Sequence, residues 1–302
     1  MKNRPYGFQG RLISSIAVLL DDPQPSAGRE DWHNRIRALI NQGVTGFEVL
    51  NASRVLAGGL GDALAGLDRS RFVVAWRLQA GERTSISRLD IADAVDQFLQ
   101  WTGLRQLDIL MLDWETYRKL EPSAWQVLDA LGRAGAVERL GIAGDERAVD
   151  LCLSDPRFTA VKTYIDVVEN DVLRRKITEA GKNDIVVLAR AFFESLSEDE
   201  APRTFLAELA EFLGFRKSSR KVLAPALEFL HRTPDWAADE LTLACMLVDP
   251  SITAGVVEVL DDQVMARLAR STERELPHGA AVSLELARVA GAKMDNRMSG
   301  RG

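Results

Sequence analysis

Residues 43–64 read GVTGFEVLNASRVLAGGLGDAL, and the order of elements in this stretch decides the fold. Gly43 closes a preceding helix. Residues 45–50 are a short apolar run suited to a buried strand, and residues 55–64 have helical spacing interrupted by Gly58, Gly59 and Gly61. The stretch is one strand, loop and helix, and glycines at those helix positions imply close packing of the helix against a sheet.

The same unit recurs outward in both directions. Upstream, residues 13–20 predict a strand, residues 21–26 a Pro-rich turn, and residues 29–42 an amphipathic helix. Downstream, strands are predicted at 71–78, 107–112, 137–142, 160–165 and 185–189, with helices at 89–101, 123–132, 145–153 and 170–180. The run LDILML at 107–112 is continuously apolar, as in a parallel sheet covered on both faces. Residues 195–236 then break the rhythm as a charged, helix-prone insertion, with apolar-periodic pieces at 205–215 and 222–230 around the basic run 216–221. Surface helices account for it, and so does a lid over a barrel mouth. Residues 241–248, 254–260 and 262–269 supply the last helix, strand and helix. Eight β-α units predict an α/β chain, a (β/α)8 TIM barrel spanning residues 1–302 as one domain, with the insertion at 195–236 and a helical tail from about residue 279.

Composition removes several functions. The chain has 302 residues, 46% of them hydrophobic, enough for a large core. A net charge of −6 and a pI near 5.3 disfavour a phosphate-backbone partner, so no nucleic acid is expected. Residues 12–20 are interrupted by Ser14 and Ser15, no span approaches the ~20 apolar residues of a membrane helix, and the expected location is the cytoplasm. Cys152 and Cys245 are too few and too far apart for a disulfide framework or a metal motif. His33, His231 and His278 also lack metal spacing, so no metal is expected.

Several motifs resemble the aldo-keto reductases. In that family the second barrel strand and its helix have the form G-[IV]-N-x-F-D-T-A-x-x-Y followed by L-G-x-A-L. Gly43, Val44, Phe47, Leu60, Gly61, Ala63 and Leu64 match it. LDILMLDW at 107–114 is similar to the family's strand four, Trp125 to Gly141 follow its W-x-x-L-x-x-L-x-x-x-G-x-V-x-x-x-G pattern, and LTLACMLVDPSITA at 241–254 is similar to a later segment. The resemblance implies a barrel of aldo-keto reductase type. It also implies four chemical positions, and all four are changed here. Glu48 stands for the orienting Asp, Ser53 for the proton-donating Tyr, Arg77 for the Lys that sets its acidity, and Asp113 for the His.

Ser53 has neither the acidity nor the reach of a phenol. A guanidinium at Arg77 holds its proton too tightly to relay one, and its planar fork favours a paired carboxylate such as Glu48 or Asp113. At the positions that the resemblance assigns to the cofactor, Ala143-Gly144 offers no side-chain hydrogen bond to a nicotinamide amide. Lys162 replaces a Gln, Arg190 replaces the stacking Tyr, and Glu258, Asp261 and Asp262 put carboxylates where the family holds a phosphate. No cofactor is therefore expected: NADPH is disfavoured, and NADH stays open on charge alone.

Glu48, Arg77, Asp113, Lys162, Arg190 and Glu258 fall at the carboxyl ends of different strands, where barrel enzymes place their chemistry. They are expected to converge on one mouth, either as a salt-bridge network or as a rebuilt polar site. In the second case Glu48 and Asp113 are candidates for acid and base, and Lys162 for a Schiff-base amine. Trp76 and Trp114 are candidates for the pocket wall. Three functions follow: a barrel that has lost carbonyl reduction and binds a small polar molecule or a partner protein, a non-redox enzyme such as a lyase, isomerase or dehydratase, or a divergent NAD(P)H oxidoreductase.

Overall fold

The computed structural model describes residues 1–22, 27–166, 171–192, 236–258, 261–276, 279–280 and 282. The expected helices of the 195–236 insertion and nearly all of the expected tail lie outside these residues. Eight parallel strands close on themselves: β3 (Ile16–Leu20), β4 (Gly46–Val49), β5 (Val73–Leu78), β6 (Leu107–Asp113), β7 (Val137–Gly144), β8 (Phe158–Asp166), β9 (Val186–Phe192) and β10 (Ala254–Val257). They pair in chain order, and β10 returns to β3 with Val256 opposite Ala17. Outside lie α1 (Arg29–Asn41), α2 (Arg54–Leu64), α3 (Arg88–Thr102), α5 (Pro122–Arg133), α6 (Glu146–Ser154), α7 (Asp171–Lys182), α8 (Ala238–Met246) and α9 (Asp262–Ser271). A short helix, α4 (Trp114–Lys119), follows β6 directly and has no counterpart in the expected elements.

Two apolar layers follow from the two-residue alternation of the strands. Ala17, Leu19, Val73, Ala75, Ile109, Met111, Ala160, Val186, Leu188, Ala254 and Val256 fill the barrel interior. Their neighbours Val18, Val74, Trp76, Leu110, Leu112, Val161 and Val187 pack outward with the helices.

The expected strand at 13–20 is in fact two. Ser15 divides β2 (Leu12–Ser14) from β3, and β2 pairs antiparallel with β1 (Asn3–Pro5). This hairpin covers the amino-terminal end of the barrel. Tyr6 and Ile13 join the interior layer, and the Tyr6 hydroxyl donates to the Asp108 carbonyl (3.3 Å) between the guanidinium groups of Arg11 and Arg139, 5.1 and 5.3 Å from its ring. Buried Asp108 in turn accepts from the Val74 amide (2.7 Å) and pairs with Arg11 (2.8 Å) and Arg69. With this end plugged, chemistry is left to the carboxyl end.

The glycines of α2 serve helix contacts rather than the helix–sheet contact expected of them. A Cβ on Gly59 would lie 2.5 Å from the Trp32 Cβ of α1, and one on Gly61 would lie 1.9 Å from the Thr102 carbonyl oxygen of α3. Gly61→Ala is therefore expected to cost about 2 to 3 kcal/mol in urea unfolding, because backbone cannot yield as a side chain can. A neutral effect would show that α2 and α3 stand further apart.

Candidate functional site

Period-two alternation turns Glu48, Arg77, Asp113, Lys162 and Arg190 inward: the last four each lie an even number of residues from an interior position on their own strand, and Glu48 alternates with Phe47 and Val49, which pack outward. Closure of the barrel then brings three of them together. Glu48 is fully buried at the end of β4. One of its oxygens, Oε1, accepts from Arg77 of β5, and the other, Oε2, lies 2.5 Å from Lys162 Nζ of β8. The Lys162 side chain keeps only 2% of its exposure and Arg77 keeps 11%, so solvent reaches the triad from the guanidinium side.

One carboxylate faces two cations. Arg77 is served by Glu48 through its Nη2, while its buried Nε–H finds no hydrogen-bond partner among the described residues. Such an orphaned donor is expensive unless something accepts from it. Burial pulls the Lys162 ammonium down to a pKa of about 8. Arg77 and Arg190 push it the same way, against the pull of Glu48.

The other expected members do not join this group. Asp113 ends β6 and caps α4, its carboxylate accepting from the Thr116 amide (2.6 Å), and it makes no ion pair among the described residues. Of the two carboxylates expected as partners of Arg77, the structure pairs it with Glu48 and not with Asp113. Arg190 and Glu258 pair with each other at 3.3 Å with both side chains about half exposed, so they form a rim contact, not part of a dry network of six charges. Ser53 caps α2, its Oγ accepting from the Leu56 amide at 3.0 Å and donating to the buried Asp22 carboxylate.

Trp76 does not wall a pocket shared with Arg77. Trp76 alternates with Arg77 and points outward, stacked on Phe98 of α3 with centroids 4.6 Å apart. Trp114 lies on α4, 5.4 Å from Tyr117 and with the Arg147 guanidinium 5.3 Å above its ring, at the edge of an aromatic cluster with Trp125 and Phe158. Asp22 is the residue that sequence reading missed. It sits just past β3, and its signal was an Asp next to the strand's carboxyl end.

At the end of β7, Ala143 lies in register between Asp113 and Lys162 and presents only a methyl group. At the start of α9 the Asp261 carboxylate accepts from the Gln263 and Val264 amides at 2.8 and 2.9 Å, so the helix's first donors are already taken by the chain itself. Among the described residues, no three His, Cys, Asp or Glu side chains group so as to hold a metal ion, and no helix is long and apolar enough to cross a membrane.

No protein-family model matches the chain, and no curated protein matches it by sequence. Solved structures do. The holo form of an aldo-keto reductase from Bacillus halodurans superposes with a TM-score of 0.71 at 14% identity, covering 95% of this chain and 96% of that one. A thermostable aldo-keto reductase in complex with the inhibitor epalrestat gives 0.70 at 14% identity, covering 96% and 100%. The chain thus has the aldo-keto reductase barrel that its motifs resemble, and at this identity the likeness is one of fold.

Proposed function

We propose that this barrel of aldo-keto reductase fold does not carry out nicotinamide-dependent carbonyl reduction and instead binds a small anionic molecule at its carboxyl-end mouth. One observation carries the proposal: Glu48 is a single buried carboxylate between two cations, and the Arg77 Nε–H beside it is buried without an acceptor. A ligand carboxylate or phosphate satisfies the surplus charge and the idle donor together, and guanidinium geometry is suited to both groups.

The nicotinamide cofactor of the family fits these residues poorly. Ala143 offers no side-chain donor to an amide, Lys162 is occupied by Glu48, and the α9 terminus that would face a phosphate carries Asp261 and Asp262 instead of cations. At the two positions where the resemblance places the proton-donating Tyr and the His, Ser53 and Asp113 carry no phenol or imidazole and are engaged as helix caps.

The test is calorimetry on the full chain with oxalate as the probe. Saturable binding with a Kd on the order of 1 mM or tighter is expected. Arg77→Lys keeps the charge and loses the fork, so it is expected to weaken binding about tenfold. Absence of oxalate binding, with the wild-type chain folded, would overturn the proposal.

A further inference from the structure

We propose that Lys162 is a nucleophilic amine that forms an imine with the carbonyl of a small oxo acid whose carboxylate rests on Arg77. The inference rests on the anion-binding reading above and names its substrate class. Arg77 and Lys162 are held on the two oxygens of one carboxylate, so the two cations stand side by side over Glu48. A molecule that puts its carboxylate on the Arg77 fork and its carbonyl at Nζ must therefore carry both groups on adjacent or nearly adjacent carbons, as 2-oxo and 3-oxo acids do. Neighbouring Ala143 and Leu188 flank Lys162 in the strand register and add no competing polar group.

The chemistry closes on the residues present. The Lys162 ammonium gives a proton to Glu48 Oε2 at 2.5 Å, and the freed amine attacks the carbonyl carbon. Glu48 returns that proton to the new alkoxide and takes one from the nitrogen. It then delivers this proton to the hydroxyl, which leaves as water while the nitrogen lone pair forms the C=N bond. The balance is ammonium plus ketone to iminium plus water, with Glu48 again a carboxylate and nothing oxidised or reduced. A carboxylate within hydrogen-bond reach of the amine is the geometry that general acid–base assistance requires. The lowering of Lys162 to about 8 makes an appreciable fraction of free amine available near neutral pH, unlike an exposed lysine near 10.5.

The test uses pyruvate with cyanoborohydride on the full chain, followed by intact mass and peptide mapping. The expected product is a single adduct of pyruvate less one oxygen atom, on Lys162, formed at a rate that rises through about pH 8. Oxalate, which has the carboxylates and no ketone, is expected to suppress it. Lys162→Arg is expected to remove the adduct, and mapping of the wild-type chain gives the answer on its own if that variant does not fold. Oxalate binding with no adduct at Lys162 above the level on surface lysines overturns the imine and leaves the anion site standing. An adduct at Lys162 that oxalate does not suppress overturns the shared site. Failure of both binding and labelling removes the anion site together with the imine.

Discussion

Glu48→Gln is expected to cost about 3 kcal/mol in urea unfolding, a large fraction of the stability of an ordinary domain. The residue is fully buried and is the one anion between Arg77 and Lys162, so the change leaves two desolvated cations facing each other. Lys162 limits the damage. It loses the one neighbour that raises its pKa, so it releases its proton near neutrality and removes one of the two charges. Adding Lys162→Met to Glu48→Gln is therefore expected to recover part of the loss, and a double-mutant cycle measures that coupling directly. Glu258→Gln supplies the contrast, because the Arg190–Glu258 pair is half exposed and the expected cost is under about 0.5 kcal/mol. Equal costs at Glu48 and Glu258 would mean that the triad is not dry.

The barrel was legible because parallel strands covered on both faces are continuous apolar runs, and a run such as LDILML stands out against amphipathic helices. The same property hid the hairpin. Residues 12–20 are apolar apart from Ser14 and Ser15, and that pair, which a single strand also tolerates, is where the chain turns from the plug into the barrel. The short helix α4 escaped for the opposite reason. Its six residues are too few to show a periodicity, and its start signal, Asp113 before the Thr116 amide, lies at a strand end where a carboxylate is equally a candidate for chemistry.

Which charges meet was less legible than which charges point inward. Inward placement needs only the two-residue period, and that period also excludes Trp76 from any pocket shared with Arg77, since adjacent strand residues face opposite sides. Pairing, however, depends on closure. Glu48 finds Arg77 at a sequence separation of 29 and Lys162 at a separation of 114, across strands whose tilt and stagger are set by the whole barrel. Arg190 and Glu258 satisfy the same alternation, yet they lie far enough toward the rim to be wet. Depth along the barrel axis, which separates the buried triad from the exposed pair, has no sequence signature.

The second large effect is on catalysis. NADPH-dependent reduction of simple aldehydes is expected to run at least about 1,000-fold below an ordinary aldo-keto reductase, because a positioned proton donor alone is worth roughly 100- to 10,000-fold. Ser53 offers an alcohol committed to the Leu56 amide and Asp22 in place of a phenol, and Arg77 and Asp113 are likewise committed to Glu48 and to the α4 cap. Titration of NADPH fluorescence is expected to show no saturation, since the carboxylates at the start of α9 repel a phosphate dianion and the first amides there are already capped. Ser53→Tyr is expected to rescue nothing. It removes the α2 cap, at about 1 kcal/mol, and leaves Lys162 and Glu48 paired in the space of the reductase machinery. Turnover within tenfold of an ordinary reductase, or saturable NADPH binding at micromolar concentration, would return the barrel to the oxidoreductases. A large rescue by that single tyrosine would show instead that the phenol's place at the mouth is still intact, with only its hydroxyl missing.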